Sequence, residues 1–166
     1  MREQSEFEEW VRARGAALLR FAYLVTGDHS RAEEAVQDAL LAACPRWRRI
    51  SRLEDPEAYL RRSIVNADIS RWRRTRRETP VADATTRDVV PDVGGTVAEQ
   101  QAAWTLCQSL PPKQRAAIVL RYYEGLPHAT IAEILDCSPA TVRSQIHHAL
   151  ASLRGRLRTP EEISNR

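Results

Sequence analysis

The chain has 166 residues, 43% of them hydrophobic, and carries 25 Lys or Arg against 22 Asp or Glu. That length accommodates one or two small domains, and six glycines without sustained β-branched alternation make an all-α chain the expectation. No apolar run approaches membrane-spanning length and the N-terminus is charged from Arg2 onward, so a cytoplasmic protein without membrane insertion is expected.

Charge is unevenly distributed. Residues 1–45 carry 5 Arg against 8 acids, and residues 46–77 carry 11 Arg against 4 acids. Residues 78–100 then carry Arg87 against five acids. Basic segments suit a polyanion, and acidic ones suit a different partner. Lys113 is the only lysine; the arginine bias suits bidentate phosphate and guanine contacts, and a GC-rich genome accounts for it equally well. Cys44, Cys107 and Cys137 are scattered, with neither metal nor redox spacing. They read as small buried residues of a reducing compartment, and no metal or cofactor is expected.

In chain order, Phe7, Trp10, Val11, Leu18, Phe21, Ala22 and Val25 share one side of a first helix, roughly Ser5 to Val25. Thr26-Gly27-Asp28 breaks it. Ser30-Arg31-Ala32-Glu33 has the form of a capping box opening a second helix that runs to about Ala43. That helix buries Ala35, Val36, Ala39 and Leu40. Its other side shows Glu34, Gln37, Asp38 and Leu41, a leucine set among acids and an amide. Such a face is either ordinary solvated surface or a docking surface for a basic protein.

Asp55-Pro56 starts a third helix as N-cap and first helical residue. It carries Tyr59, Leu60, Ile64, Ala67 and Ile69 and ends in Arg71-Trp72-Arg73-Arg74-Thr75-Arg76-Arg77. Asn66 and Asp68 precede that run, and Arg61 and Arg62 add charge earlier. Arginines interleaved with an aromatic can grip phosphates while the ring stacks on an unpaired base. Nucleic acid with separated strands is the ligand this segment suits. Glu78 to Val97, with two prolines and adjacent glycines, reads as an acidic linker.

The C-terminal block reads as a four-helix bundle. Ala98 to Leu110 is predicted helical, with Ala102, Ala103, Leu106 and Cys107 inward and Trp104 at the edge. Lys113 to Tyr123 follows, ended by Gly125. Two short helices with a tight corner come last. The first, Ala129 to Leu135, carries Ile131, Ile134 and Leu135 on its apolar side; Asp136-Cys137-Ser138 is the corner. Ser138 is an N-cap with Pro139 at the first helical position. The final helix buries Val142, Ile146, Leu150 and Leu153. Thr141, Ser144, His147 and His148 lie opposite, flanked by Arg143 and Gln145. Small, donor-rich residues near a helix N-terminus are what a recognition helix presents to a major groove.

Several stretches together resemble one family. They are Ala32-Glu33-Glu34-Ala35-Val36-Gln37-Asp38, Tyr59 to Asn66, the acidic linker, Leu110-Pro111-Pro112-Lys113-Gln114-Arg115, Leu120 to Leu126, and Thr141-Val142-Arg143-Ser144-Gln145. Their order and spacing resemble the extracytoplasmic-function (ECF) sigma factors, above all the short actinobacterial branch. The resemblance implies a region-two-like domain (1–77), a linker (78–97), a region-four-like helix-turn-helix domain (98–158) and a tail (159–166). It implies that Glu34, Gln37, Asp38 and Leu41 dock on the clamp helices of the largest subunit of core RNA polymerase. Arg62, Asn66, Asp68, Arg71, Trp72, Arg73 and Arg74 would read a single-stranded minus-ten element. The last domain would sit on the flap of the second-largest subunit. There Ser138, Thr141, Arg143, Ser144, Gln145, His147 and His148 would face minus-thirty-five promoter DNA. An anti-sigma factor is a further candidate partner.

His147-His148 occupies positions often held in that family by a bulky residue and Arg. Pro127-His128-Ala129-Thr130 also departs from its usual polar-aromatic-acidic helix start. Two imidazoles weaken phosphate attraction at neutral pH, since free His is mostly uncharged above about 6.5. The residues leave two other classes to weigh. A stand-alone helix-turn-helix regulator accounts for the last domain but not for Arg71–Arg77. An enzyme would need a nucleophile elbow, a phosphate-cradling glycine loop or a metal cluster, and the sequence shows none.

Overall fold

The computed structural model describes residues 1–78 and 104–157. These residues form helices and short connections, with no strand among them. The chain divides into two units, Met1–Asp88 and Val89–Arg166. The expected linker beyond Glu78, with Ala102 and Ala103, and the expected tail fall outside the described residues.

In the first unit, α1 (Arg2–Thr26) ends where Gly27 adopts φ 75° and its N–H bonds the Tyr23 carbonyl at 2.8 Å. A left-handed residue is the usual way to close a helix, and glycine takes it without a Cβ clash. The chain turns at once, so α2 (His29–Ala43) is capped by Asp28, whose Oδ1 accepts from Arg31 N–H at 2.9 Å. This corrects the capping box expected at Ser30 and Glu33. Asp28 is an equally good cap and is extended (φ −146°), so it stops the turn two residues earlier. Arg31 Nη2 also donates to the Thr26 carbonyl, tying the corner.

A 3₁₀ turn (Cys44–Arg46) and a single-turn helix, α3 (Trp47–Ile50), follow. The sequence reading missed both, because so short a segment carries no periodic signal. Trp47 and Ile50 are nevertheless buried. Trp47 packs against Phe7 and Trp10, with ring centroids 5.2 and 5.1 Å apart. The fourth helix, α4 (Pro56–Glu78), starts as expected: Ala58 N–H bonds Asp55 Oδ1 at 3.0 Å. Helices α1, α2 and α4 pack on one another around Leu18, Phe21, Val25, Leu60, Ile64 and Val65, all essentially inaccessible. Burying each such side chain stabilises the unit by about 1.5–3 kcal/mol.

In the second unit, residues 104–108 are helical. Trp104, expected at an edge, is buried at 8% exposure; its area favours the interior over a rim. Next, α5 (Pro112–Ile118) runs into a wider turn of π type, Val119–Tyr123, where Glu124 N–H reaches the Val119 carbonyl at 3.1 Å. Gly125, at φ 68°, ends it. Then come α6 (His128–Leu135) and α7 (Pro139–Leu157). α5 and α6 both pack on α7. Leu120, Ile131, Ile134, Val142 and Ala149 are buried.

Candidate nucleic-acid interface

Side chains on α4 leave the helix in three directions because successive residues step about 100° around the axis. Arg62, Asn66 and Arg73 fall at i, i+4 and i+11, one outward row, and all three are exposed. Arg71 and Arg74 turn instead toward α2. They line a cleft of about 430 Å³ together with Glu34, Asp38 and Asp68. Arg71 Nη1 is 3.1 Å from Glu34 Oε2. Trp72 leaves on the remaining flank, 39% exposed, with the Arg76 guanidinium 4.9 Å above its ring. That stack presents a cation and an aromatic face together.

The seven residues grouped on this helix therefore do not share one surface. Asp68 is 5% exposed and lines the cleft, away from the outward row. Arg61, expected to add surface charge, is buried too. Its Nη2 donates to Glu57 Oε1 at 3.0 Å, and the other Glu57 oxygen pairs with Arg14 at 2.8 Å. This staple joins α1 to the start of α4.

Sequence reasoning also missed a group of arginines. Pro45, Arg46, Arg48, Arg49, Arg52 and Leu53 border an open hollow of about 500 Å³ on the connection between α2 and α4. The signal was present as four arginines within seven residues, but no motif framed it. On α2, Glu34, Gln37, Asp38 and Leu41 occupy one exposed face at i, i+3, i+4 and i+7. Leu41 is 70% exposed. One exposed leucine is ordinary by itself; its place on one face with Glu34, Gln37 and Asp38 is what makes this face a docking candidate.

The second unit builds its candidate surface on the corner between α6 and α7. Asp136 takes φ 53°, the one non-glycine residue with positive φ among those described. Asp tolerates that region better than most side chains, which explains a tight corner without glycine. Ser138 Oγ accepts from Thr141 N–H at 3.1 Å and lies 2.9 Å from Thr141 Oγ. Both hydroxyls are thus engaged with each other at the helix start. Arg143, Ser144, His147 and His148 are exposed on the outward side, and Gln145 is half-buried on the flank. The two imidazoles meet edge to face at 5.9 Å. Val142 and Ile146, buried as expected, fix this helix by its other side.

Two burial effects act on thiols. Burial pushes the Cys107 thiol above its usual range, against the opposing charge of Arg115. Cys137 is raised as well, by burial first and by Asp136, with Lys113 opposing. Among the described residues, no group of three or more His, Cys, Asp or Glu is placed to hold a metal ion. No described helix is long and apolar enough to cross a membrane.

Comparison with known proteins accounts for both units. Residues 10–78 match the model of sigma-70 region 2, and residues 100–153 match that of sigma-70 region 4. The RNA polymerase sigma-E factor of Streptomyces coelicolor is 35% identical over 95% of this chain and 89% of its own. The chain belongs to the RNA polymerase sigma factors. The ECF RNA polymerase sigma factor SigL of Mycobacterium tuberculosis, 31% identical over 84% of this chain and 81% of its own, places it in the ECF group. Among solved structures, the sigma factor RpoE of Bartonella quintana, crystallised with the anti-sigma factor NepR, superposes with a TM-score of 0.75. It covers 93% of this chain and 98% of its own at 24% identity, a likeness of fold. This sigma factor is thus of the short ECF type, an alternative specificity subunit that binds core RNA polymerase and directs transcription initiation at promoters.

Proposed function

We propose that the sigma factor reads its promoters through two separate surfaces. The outward row Arg62, Asn66 and Arg73, with Trp72 beside it, engages the minus-ten element as a single strand. Arg71 and Arg74 take phosphates at the margin of the cleft, and Asp68 acts from beneath by positioning them. On α7, Arg143, Ser144 and His147 face the minus-thirty-five duplex, with His148 and Gln145 at their sides. Ser138 and Thr141 fix the helix start that aims them. Glu34, Gln37, Asp38 and Leu41 dock on the largest subunit of core polymerase, and the helix-turn-helix domain docks on the second-largest. The domain limits are those read from sequence, with the acidic segment 78–97 spanning the polymerase between them.

The observation that carries this reading is Trp72, 39% exposed among the arginines at the end of α4, where residues 70–77 are all exposed. An exposed ring flanked by guanidinium groups suits stacking on an unpaired base. Catalysis then belongs to the polymerase, and this chain supplies positioning and strand separation. An anti-sigma factor is a proposed partner as well, since the similar Bartonella protein was crystallised with one. The test is transcription in vitro with core polymerase from a GC-rich bacterium and fragmented genomic DNA. New start sites sharing two spaced upstream elements are expected. Trp72→Ala and Arg143→Ala should each shift or abolish them. Unchanged starts with both variants would remove these residues from promoter reading.

A further inference from the structure

The outward face of α7 carries two groups whose charge is not fixed. His147 and His148 are both exposed, and their rings meet edge to face with centroids 5.9 Å apart. Val142, Ile146 and Ala149 are buried on the other side, so neither imidazole can turn inward without unpacking the helix. Arg143 and Ser144 stand one turn earlier, at i−4 from His147 and His148. Arg154, also exposed, continues the His147 row at i+7. The elements packed on α7 bring Lys113 and Arg115 on α5 and His128 and Glu133 on α6, with Asp136 and Cys137 at the corner. Among the described residues, neither imidazole forms an ion pair or a hydrogen bond with any of these groups. The anion that would hold a protonated imidazole on this face is therefore not supplied by the packed elements.

We infer that His147 and His148 make recognition of the minus-thirty-five duplex proton-linked: the pair takes up a proton as α7 enters the groove, and the cation pairs with a backbone phosphate. The inference rests on the proposed role of α7. An imidazole without partners titrates near about 6.5 and is mostly uncharged above it. A phosphate close by favours the cationic form, as any opposite charge does. Binding of duplex and binding of the proton therefore reinforce each other by the same factor. Two cations at the separation of these rings repel, so the pair takes up one proton before the other and titrates as a unit. The charged pair binds more tightly. Affinity is thus highest at acidic pH and falls as pH rises through the titration of the bound pair. Arginine at either position would fix the charge, whereas imidazoles make the same contact conditional. Arg143 stays charged throughout, so base reading persists while the phosphate contact comes and goes.

The test compares two holoenzymes, core polymerase with the wild-type chain and core polymerase with His147→Gln/His148→Gln. The probe is a labelled duplex carrying the upstream element of a promoter mapped by transcription in vitro. Taking the ratio of the two affinities at each pH cancels titration of the polymerase itself. That ratio is expected to move about two- to five-fold in favour of wild type between about pH 8 and about pH 6, as gain of one exposed ionic contact does. The salt dependence of wild type should steepen over the same range, since a phosphate contact is gained. His147→Arg/His148→Arg fixes the charge. It should bind tightly at both ends of the range, with no pH dependence beyond that of the Gln variant. A flat ratio, or one pH dependence shared by wild type and both variants, would overturn the inference. Arg143→Ala on the same duplex separates the two levels. If it loses discrimination against a shuffled duplex while the ratio stays flat, the proton link alone fails. If it discriminates as well as wild type does, the assignment of α7 to base reading fails and the inference fails with it.

Discussion

Glu57 lies between two arginines, 2.8 Å from Arg14 on α1 and 3.0 Å from Arg61 on its own helix. Only about a tenth of the Glu57 and Arg61 side chains is open to water, whereas Arg14 is half exposed. The contrast with the solvated Glu34–Arg71 pair sets two expectations. Glu57→Ala removes the carboxylate paired with the buried Arg61 and should lower stability by about 3 kcal/mol, as breaking a buried pair does. Arg71→Ala should cost under about 1 kcal/mol, because an exposed pair is screened and entropically weak. Urea denaturation of both variants checks this, and similar losses would show that Arg61 finds adequate compensation without Glu57.

Ser138 separates a cap from a base contact. Its hydroxyl accepts from Thr141 N–H, so Ser138→Ala should destabilise the helix-turn-helix unit by about 1 kcal/mol. Promoter preference should stay unchanged once binding is corrected for the folded fraction. Ser138→Asp, another good cap, should restore stability. Thermal melting and a binding competition between two promoter sequences read the two effects separately.

Arg143 and Arg73 should differ in kind. An arginine bidentate to guanine loses about 1–3 kcal/mol of discrimination when replaced by alanine. Arg143→Ala is therefore expected to relax preference at one minus-thirty-five position. Arg73→Ala should weaken binding to every promoter alike and make the salt dependence shallower, as loss of a phosphate contact does. Titrations across a set of promoter variants at two salt concentrations distinguish them. A uniform loss for Arg143→Ala would place it on a phosphate.

The three thiols should react in order. Cys44 is exposed, whereas burial raises the Cys107 thiol and, to a lesser extent of enclosure, that of Cys137. A raised thiol holds less thiolate at neutral pH, and thiolate is the nucleophile. Alkylation followed by peptide mapping should find Cys44 modified first. Raising the pH should accelerate Cys107 and Cys137 as their thiolate fractions grow. Early modification of Cys107 at neutral pH would mean that its surroundings open readily.

The long elements were legible because their residues repeat at helical spacing and their caps are chemically explicit. Asp55-Pro56 and Ser138-Pro139 each marked a helix start that the structure reproduces. Asp28 was missed because two cap residues compete within three positions, and the preceding turn at Gly27 decides between them. Trp47 was missed because a one-turn helix has no period to read. Its burial follows from Phe7 and Trp10, which are distant in sequence. The candidate interface was legible as a set of residue types on α4, but not as directions. Asp68 and Arg61 face inward because the packing of α1, α2 and α4 fixes the rotation of that helix.

The aromatic seat formed by Phe7 and Trp10 under Trp47 has a mechanical meaning. Trp47 lies within the stretch that carries Arg46, Arg48 and Arg49, so the opening turns of α1, where Glu3 also lies 3.7 Å from Arg48, support the basic hollow directly. Shortening the chain ahead of Val11 would leave the three-helix core whole and take the foundation from beneath those arginines. The first ten residues thus behave as a strut, and a fusion that disturbs them would be felt at the hollow.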